Sequence, residues 1–127
     1  MQLDFDNNKP IFLQLAETIE DDILKGIFEE DTQIPSTTEI SISFKINPAT
    51  AGKGVNILVD EGILYKKRGV GMFVSVHAKE KILDKRKKAF FDNYIHTLLN
   101  EAEKLNITKK EIIEMIERSF SKWAKSK

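Results

Sequence analysis

Three consecutive cations, Lys66, Lys67 and Arg68, stand next to Gly69 and Gly71 in one short segment of the chain. Ammonium and guanidinium groups bind phosphate oxygens, and glycines let a backbone approach a ligand closely. The spacing therefore predicts a cationic hairpin tip that can lie against a nucleic-acid backbone. The alternative is an ordinary exposed hairpin, in which Gly71 only supplies a turn dihedral.

A second group of polar residues surrounds the helix start predicted at Asn47-Pro48. Asparagine is a good N-cap, and proline is well tolerated at the first helical position. The first turns of such a helix can reach base edges, where Thr50 can contact a thymine methyl group and Lys53 a guanine or a phosphate. We therefore predict base contacts by Asn47, Ala49, Thr50 and Lys53, although capping alone would explain Asn47.

An earlier helix start is predicted where Ser36 precedes Glu39 by three residues, the spacing of a capping box. The N-terminus of a helix favours anions, so Ser36 can fix a phosphate as well as cap the helix. Thr37 and Thr38 add hydroxyl groups in the same turn. All three residues are predicted to contact DNA, with capping as the sufficient alternative for Ser36.

These polar groups require a compact scaffold to position them. Apolar periodicity, caps and turn residues predict a mainly α fold with a small β-hairpin, a winged helix-turn-helix. Its predicted helices cover residues 10–25, 36–44 and 48–61, and its strands cover residues 63–66 and 72–76.

Beyond residue 77 the apolar residues follow a heptad spacing, and Thr108 with Glu111 predicts a further helix start. The chain is therefore expected to comprise a winged helix-turn-helix domain, 1–76, and an α-helical hairpin, 77–127. Such a hairpin leaves apolar side chains uncovered, which favours a homodimer, and the alternative is folding back onto residues 1–76. The residues predicted for dimerisation are Phe91, Tyr94, Ile95, Leu98, Ala102, Leu105, Ile112, Ile116, Phe120 and Trp123.

Short motifs occur in a fixed order along the first 76 residues: Pro10-Ile11-Phe12-Leu13-Gln14-Leu15, Ile34-Pro35-Ser36, Asn47-Pro48-Ala49-Thr50, Glu61-Gly62-Ile63-Leu64, Arg68-Gly69 and Gly71 with Phe73-Val74. In this order and spacing they resemble the DNA-binding domain of the GntR family of bacterial transcription regulators. The short C-terminal part resembles the YtrA subfamily, which implies a dimeric regulator of the kind that often controls transporter operons.

The chain departs from the family pattern at four positions. Thr38 stands where the family usually has a base-reading arginine, and Val70 stands where the wing often has a polar residue. Gly52 and Gly54 replace larger residues in the second helix, and each interior glycine costs roughly 0.5–1 kcal/mol relative to alanine. These changes predict an unusual operator or weaker binding, and a recognition helix that is partly frayed without DNA.

Composition narrows the remaining possibilities. The 127 residues contain no cysteine and no signal peptide or long apolar run, so a cytoplasmic protein without metal or cofactor is expected. His77 and His96 have no nucleophile nearby in the pattern, which argues against an enzyme. Residues 1–76 carry 7 Lys/Arg and 12 Asp/Glu, net −5, whereas residues 77–127 carry 13 and 8, net +5. The DNA-binding half is thus the acidic one, with its cations gathered locally.

The sequence therefore predicts a sequence-specific DNA-binding regulator, a dimeric repressor that occludes a pseudo-palindromic operator. The competing hypothesis is a dimeric winged-helix scaffold that binds proteins and not specific DNA, as Thr38 and the acidic balance would favour. A basic run from Lys79 to Lys88 could contact flanking phosphates or form a solvated helix face. No dedicated effector pocket is expected, although the seam near Phe90, Tyr94 and Trp123 could admit an apolar molecule.

Overall fold

The computed structural model describes residues 3–126, which form six α-helices, one two-stranded sheet and a π-helical segment. They divide between Lys85 and Arg86 into two compact units. The elements are α1 Ile11–Leu24, α2 Thr37–Phe44, α3 Pro48–Asp60, β1 Leu64–Lys67, β2 Gly71–Val74, α4 Ala78–Phe90, the π segment Phe91–Ile95, α5 His96–Lys104 and α6 Lys109–Ser126.

The two predicted helix starts of the helix-turn-helix are confirmed, because local capping fixes both. The Ser36 hydroxyl accepts from the Glu39 backbone N–H at 3.1 Å, and the Glu39 carboxylate accepts from the Ser36 N–H at 3.0 Å. The Asn47 side chain accepts from the Ala49 N–H at 2.8 Å, ahead of Pro48. Lys45 ends α2 with a left-handed φ of 56°, which allows the tight turn between the helices.

The core of the first unit lies between α1, α2, α3 and the sheet. Helix α1 buries residues spaced by four along one face, as its periodicity predicted. Helix α3 buries the side opposite its solvent-exposed face. The buried apolar residues of these elements and of the segments that connect them are Leu15, Ala16, Ile19, Ile23, Ile34, Ile40, Ala51, Val55, Leu58, Ile63, Leu64 and Val74.

Gly54 lets helices α1 and α3 approach each other closely. A Cβ atom built on Gly54 would lie 2.8 Å from the backbone oxygen of Phe12 and 3.0 Å from Leu15 Cδ2, whereas one on Gly52 would meet only Thr37 Cγ2, at 3.8 Å. Helix α3 is continuous through both glycines. The packing role of Gly54 was not visible in the sequence pattern, and fraying of α3 without DNA stays a prediction.

The wing is a hairpin in which Leu64 pairs with Val74 and Lys67 pairs with Gly71. The strands are β1 64–67 and β2 71–74, so they lie slightly nearer the turn than the predicted 63–66 and 72–76. The segment before α2 runs antiparallel beside β2: the Ile34 N–H donates to the Met72 carbonyl at 3.0 Å, and the Val74 N–H donates to the Thr32 carbonyl at 3.0 Å. A third backbone segment therefore supports the wing.

The first unit extends beyond residue 76, where the sequence placed the boundary. Ala78 and Ile82, on the first turns of α4, are fully buried in the same core. Lys81 donates to the Gly62 carbonyl at 3.0 Å. The start of α4 is thus an integral part of the first unit, which apolar periodicity alone did not reveal.

Lys85 joins α4 to a buried acid of α1. Its ammonium group forms ion pairs with Glu20, whose side chain is 2% exposed, and with Glu61 at 3.0 Å. Burial by itself lowers the pKa of Lys85, but the hydrogen bonds to both carboxylates and their negative charge outweigh it, so the pKa lies above its ordinary value. The charged ammonium form is therefore favoured by folding.

The second unit is a helical hairpin whose turn contains Asn106 at a left-handed φ of 56°. The predicted capping box is present, since the Glu111 N–H donates to the Thr108 hydroxyl at 3.2 Å and the Thr108 N–H donates to the Glu111 carboxylate at 3.1 Å. The π segment, which the heptad pattern did not predict, contains Phe91 and Ile95. Among the described residues of this unit only Ala102, 6% exposed, is buried.

No helix in the described range, residues 3–126, has the length and apolar character needed to cross a membrane.

The two glycines of α3 should respond oppositely to alanine. Gly54→Ala should lower the free energy of unfolding by about 1–3 kcal/mol, because the added methyl group overlaps the Phe12 backbone. Gly52→Ala, the matched control, should raise it by roughly 0.5–1 kcal/mol through helix propensity. Urea unfolding at one protein concentration measures both, and equal stabilisation by the two substitutions would disprove the packing role of Gly54.

Lys85→Met should lower the free energy of unfolding by about 1–3 kcal/mol, since a buried carboxylate loses an ammonium partner that is itself 38% exposed. Because folding raises the pKa of Lys85, this contribution is complete below the ordinary pKa of 10.5 and is lost as pH rises through the higher folded-state pKa. Denaturant titrations at neutral and high pH test this, with Lys79→Met, an exposed lysine on the same helix, as control. An equal loss in both variants would contradict it.

Candidate nucleic-acid interface

Helix α3 presents one face to solvent. Its exposed side chains include Ala49, Lys53, Asn56 and Asp60, which follow one another at intervals of three or four residues. Gly52 lies between them and leaves a shallow groove along the helix. A narrow helix with an exposed polar stripe can enter the major groove of DNA. Asn56 and Asp60 lie on this stripe and were not among the predicted contacts, although the same helical spacing from Ala49 and Lys53 would have found them.

The first turn of α3 contains two of the predicted contacts. Asn47 is exposed and uses its side-chain oxygen to cap the helix, so its structural role is established. Thr50 is partly buried and lies at the edge of the exposed face. Ala49 lies between Asn47 and Thr50 in the sequence. It is exposed and small enough to permit close approach of a base edge.

Lys53 lies over an aromatic ring of α1. Its Nζ atom is 4.0 Å from the centroid of the Phe12 ring, a cation–π contact. Lys67 of the wing has the same arrangement, with Nζ 4.4 Å from the centroid of Phe73. Phe73 in turn stacks on Tyr65, with centroids 5.6 Å apart. Aromatic side chains of the first unit thus hold two of the predicted DNA-binding cations at defined positions.

The N-terminus of α2 carries a negative charge of its own. The hydrogen bond from the Ser36 backbone N–H, followed by that with the Ser36 side chain, lowers the pKa of Glu39. The ionised carboxylate therefore occupies the helix end that was predicted to receive a phosphate. Thr37 is partly buried beside α3, and Thr38 is exposed. This arrangement favours capping as the main role of Ser36 and leaves Thr38 as the accessible hydroxyl.

The wing tip projects its cations from a closed turn. The Val70 N–H donates to the Lys67 carbonyl at 2.9 Å, and Arg68 and Gly69 lie between these residues. Gly69 has a φ of 77° and no atoms near the position of a Cβ. Lys66, Arg68 and Val70 are exposed at this end of the unit. The tip is therefore accessible, cationic and narrow.

Part of the basic run on α4 has an internal role. Lys81 binds the Gly62 carbonyl, and Lys85 binds Glu20 and Glu61. Lys79 is exposed and stays a candidate for a phosphate contact. The basic run from Lys79 to Lys88 is therefore neither wholly exposed to solvent nor wholly available to DNA, because the ammonium groups of Lys81 and Lys85 stabilise the first unit.

All the predicted DNA-binding residues belong to the first unit, and all the predicted dimerisation residues belong to the second. Most of the latter are exposed in the single chain, including Phe120 at 62% and Trp123 at 55%, which stack edge to face with centroids 6.0 Å apart. Within residues 3–126 no cluster of His, Cys, Asp and Glu could hold a metal ion.

Comparison with known proteins identifies the family. The sequence profile of the bacterial regulatory proteins of the gntR family matches residues 12–74. The transcriptional repressor YtrA of Bacillus subtilis is 31% identical over 84 residues, which cover 66% of this chain and 65% of that protein. The solved structure of a GntR-family regulator from Bacteroides thetaiotaomicron is similar with a TM-score of 0.76, at 34% identity, over 89% of this chain and 98% of that one.

A further solved structure contains DNA. The AraR DNA-binding domain in complex with operator ORX1 is similar with a TM-score of 0.53, at 29% identity, over 59% of this chain and 99% of that domain. These relatives are transcriptional regulators and not enzymes. The chain therefore belongs to the GntR family of bacterial regulatory proteins, where it is a YtrA-like transcriptional regulator with a DNA-binding helix-turn-helix.

Proposed function

We propose that the protein is a dimeric repressor that binds a pseudo-palindromic operator and sterically excludes RNA polymerase. One observation carries the proposal: the exposed polar face of α3 and the cationic wing tip lie on the same compact unit. A helix for the major groove and a wing for the adjacent backbone together form a DNA-reading surface. The similarity to the repressor YtrA supports repression.

Base contacts are assigned to the exposed face of α3 and backbone contacts to the wing. Thr50 and Lys53 provide a hydroxyl, a methyl group and an ammonium group to base edges. Arg68 and Gly69, at the accessible turn, reach the phosphate backbone or the minor groove. Thr38 is a short hydroxyl where an arginine would read guanine, so the operator need not contain the guanine that an arginine would select.

The second unit is proposed to dimerise the protein. Its helices expose large apolar side chains at intervals that match helix-to-helix packing. An apolar surface of this kind is unfavourable in water and is covered when two copies associate. A two-fold dimer places two copies of α3 against half-sites about one helical turn apart, or a multiple of that distance. The subfamily resemblance makes a transporter operon the first candidate target.

A protein-binding scaffold is the second candidate function. The net charge of −5 on residues 1–76 and the ionised Glu39 at the N-terminus of α2 favour it, because both oppose an approaching phosphate backbone. A scaffold would bind DNA weakly and without sequence preference. No effector is expected, and an apolar molecule bound at the second unit is the alternative that thermal-shift measurements with hydrophobic ligands would test.

The first experiment is fluorescence anisotropy with the protein's own upstream region and a scrambled duplex at two salt concentrations. The proposed repressor binds the upstream duplex selectively, and its affinity falls with rising salt as counterions return to the DNA. Equal binding of both duplexes, or none at low salt, would favour the scaffold.

Arg68→Ala should weaken operator binding and reduce the slope of log K against log salt by about one unit, because one phosphate contact is lost. Arg118→Ala, which removes the same charge from exposed helix α6, is the matched control and should leave both quantities unchanged. An unchanged slope in Arg68→Ala would remove the wing from the interface.

Phe120→Glu should convert the dimer into a monomer, since it places a charge in the proposed apolar interface. Ser121→Glu introduces the same charge at the next exposed position and should leave the dimer intact. Light scattering measures the mass, and circular dichroism verifies that both variants stay helical. A dimeric Phe120→Glu variant would exclude this face as the interface.

A further inference from the structure

A glutamine outside the hairpin contacts the wing tip. Gln33 lies in the segment that precedes α2 and forms an antiparallel bridge with Phe73 of β2. The flanking residues fix its backbone on both sides, through the hydrogen bonds that join Ile34 to Met72 and Thr32 to Val74. The position of the Gln33 backbone relative to the wing is therefore set by the sheet.

The side chain of Gln33 continues toward the turn. Its Nε2 atom donates to the Val70 carbonyl at 2.9 Å, across 37 residues of sequence. That carbonyl follows directly after Arg68 and Gly69, the residues at the tip. The Val70 carbonyl accepts this hydrogen bond from Gln33, and the Val70 N–H donates to the Lys67 carbonyl. Both backbone polar groups of Val70 are therefore held in place.

Gly71 leaves the space that the Gln33 side chain occupies when it donates to the Val70 carbonyl. Its φ is 148°, and a Cβ atom there would lie 2.4 Å from Gln33 Nε2. A side chain at position 71 would therefore displace the amide. The glycine is explained by the neighbouring glutamine, and not only by close approach to DNA or by the turn.

We propose that Gln33 is a positioning residue for DNA binding, which holds the wing tip so that Arg68 reaches the DNA backbone in one preset geometry. The inference rests on the proposed DNA-binding function. A turn that is already ordered loses less conformational freedom on binding than a mobile one. Gln33 acts through the wing, and contact with DNA is left to the cations.

The test compares four proteins by anisotropy with the upstream duplex: wild type, Gln33→Ala, Arg68→Ala and the double variant. Gln33→Ala should weaken binding about three- to tenfold and lower the salt slope toward that of Arg68→Ala, although it removes no charge. In the Arg68→Ala background it should have almost no further effect, because both substitutions act on the same contact.

The control is Thr32→Ala, which alters the neighbouring exposed residue whose hydroxyl donates to the Glu29 carbonyl and not to the wing. It should bind like wild type. Thermal unfolding of every variant shows whether the fold is kept. If Gln33→Ala weakens binding but leaves the salt slope unchanged, its effect is merely structural.

The outcomes separate the two proposals. If Arg68→Ala weakens binding while Gln33→Ala binds like wild type, or if their effects add fully in the double variant, the positioning role is overturned and the DNA-binding function stands. If the wild type does not select the upstream duplex over a scrambled one, the proposed function and the role of Gln33 are both overturned.

Discussion

The close approach of α1 and α3 is the constraint on which the candidate interface depends. Phe12 takes part twice: its backbone oxygen packs against Gly54, and its ring lies beneath the ammonium group of Lys53. Because two packed helices cannot rotate freely against each other, this contact fixes which residues of α3 face solvent. The orientation of the recognition helix is thus determined from behind, by the helix that begins the fold, before any DNA is present.

Local signals allowed much of the fold to be predicted. Capping boxes at Ser36 and Thr108 and the N-cap Asn47 depend on residues within three positions, so the sequence alone identifies the helix starts. The unpredicted features involve distant partners. Lys85 meets Glu20 across 65 residues, and Gln33 meets Val70 across 37, so no spacing pattern reveals either contact. The π segment also escaped prediction, because a heptad pattern does not record an extra residue within a turn.

The charge distribution bears on how such a regulator selects its site. With a net charge of −5, residues 1–76 gain little from long-range attraction to DNA. In the proposed function, affinity comes from a few cations, among them the predicted contacts Lys53 and Lys67, whose ammonium groups lie over the rings of Phe12 and Phe73. Non-specific binding is almost entirely electrostatic, so an acidic domain is retained less by the competing sites of a genome. A domain with this charge distribution can therefore combine modest affinity for DNA with selectivity for one site over non-specific sites.

The anchoring of Lys85 also bears on how regulators of this kind can be recombined. In the chain, the wing ends near Val74, and a junction there would look natural from the hairpin alone. A chimera joined at that point would lose Ala78 and Ile82 from the core and the ammonium group that pairs with the buried Glu20. In this chain, exchange of the C-terminal part therefore requires that the first two turns of α4 stay joined to the winged helix.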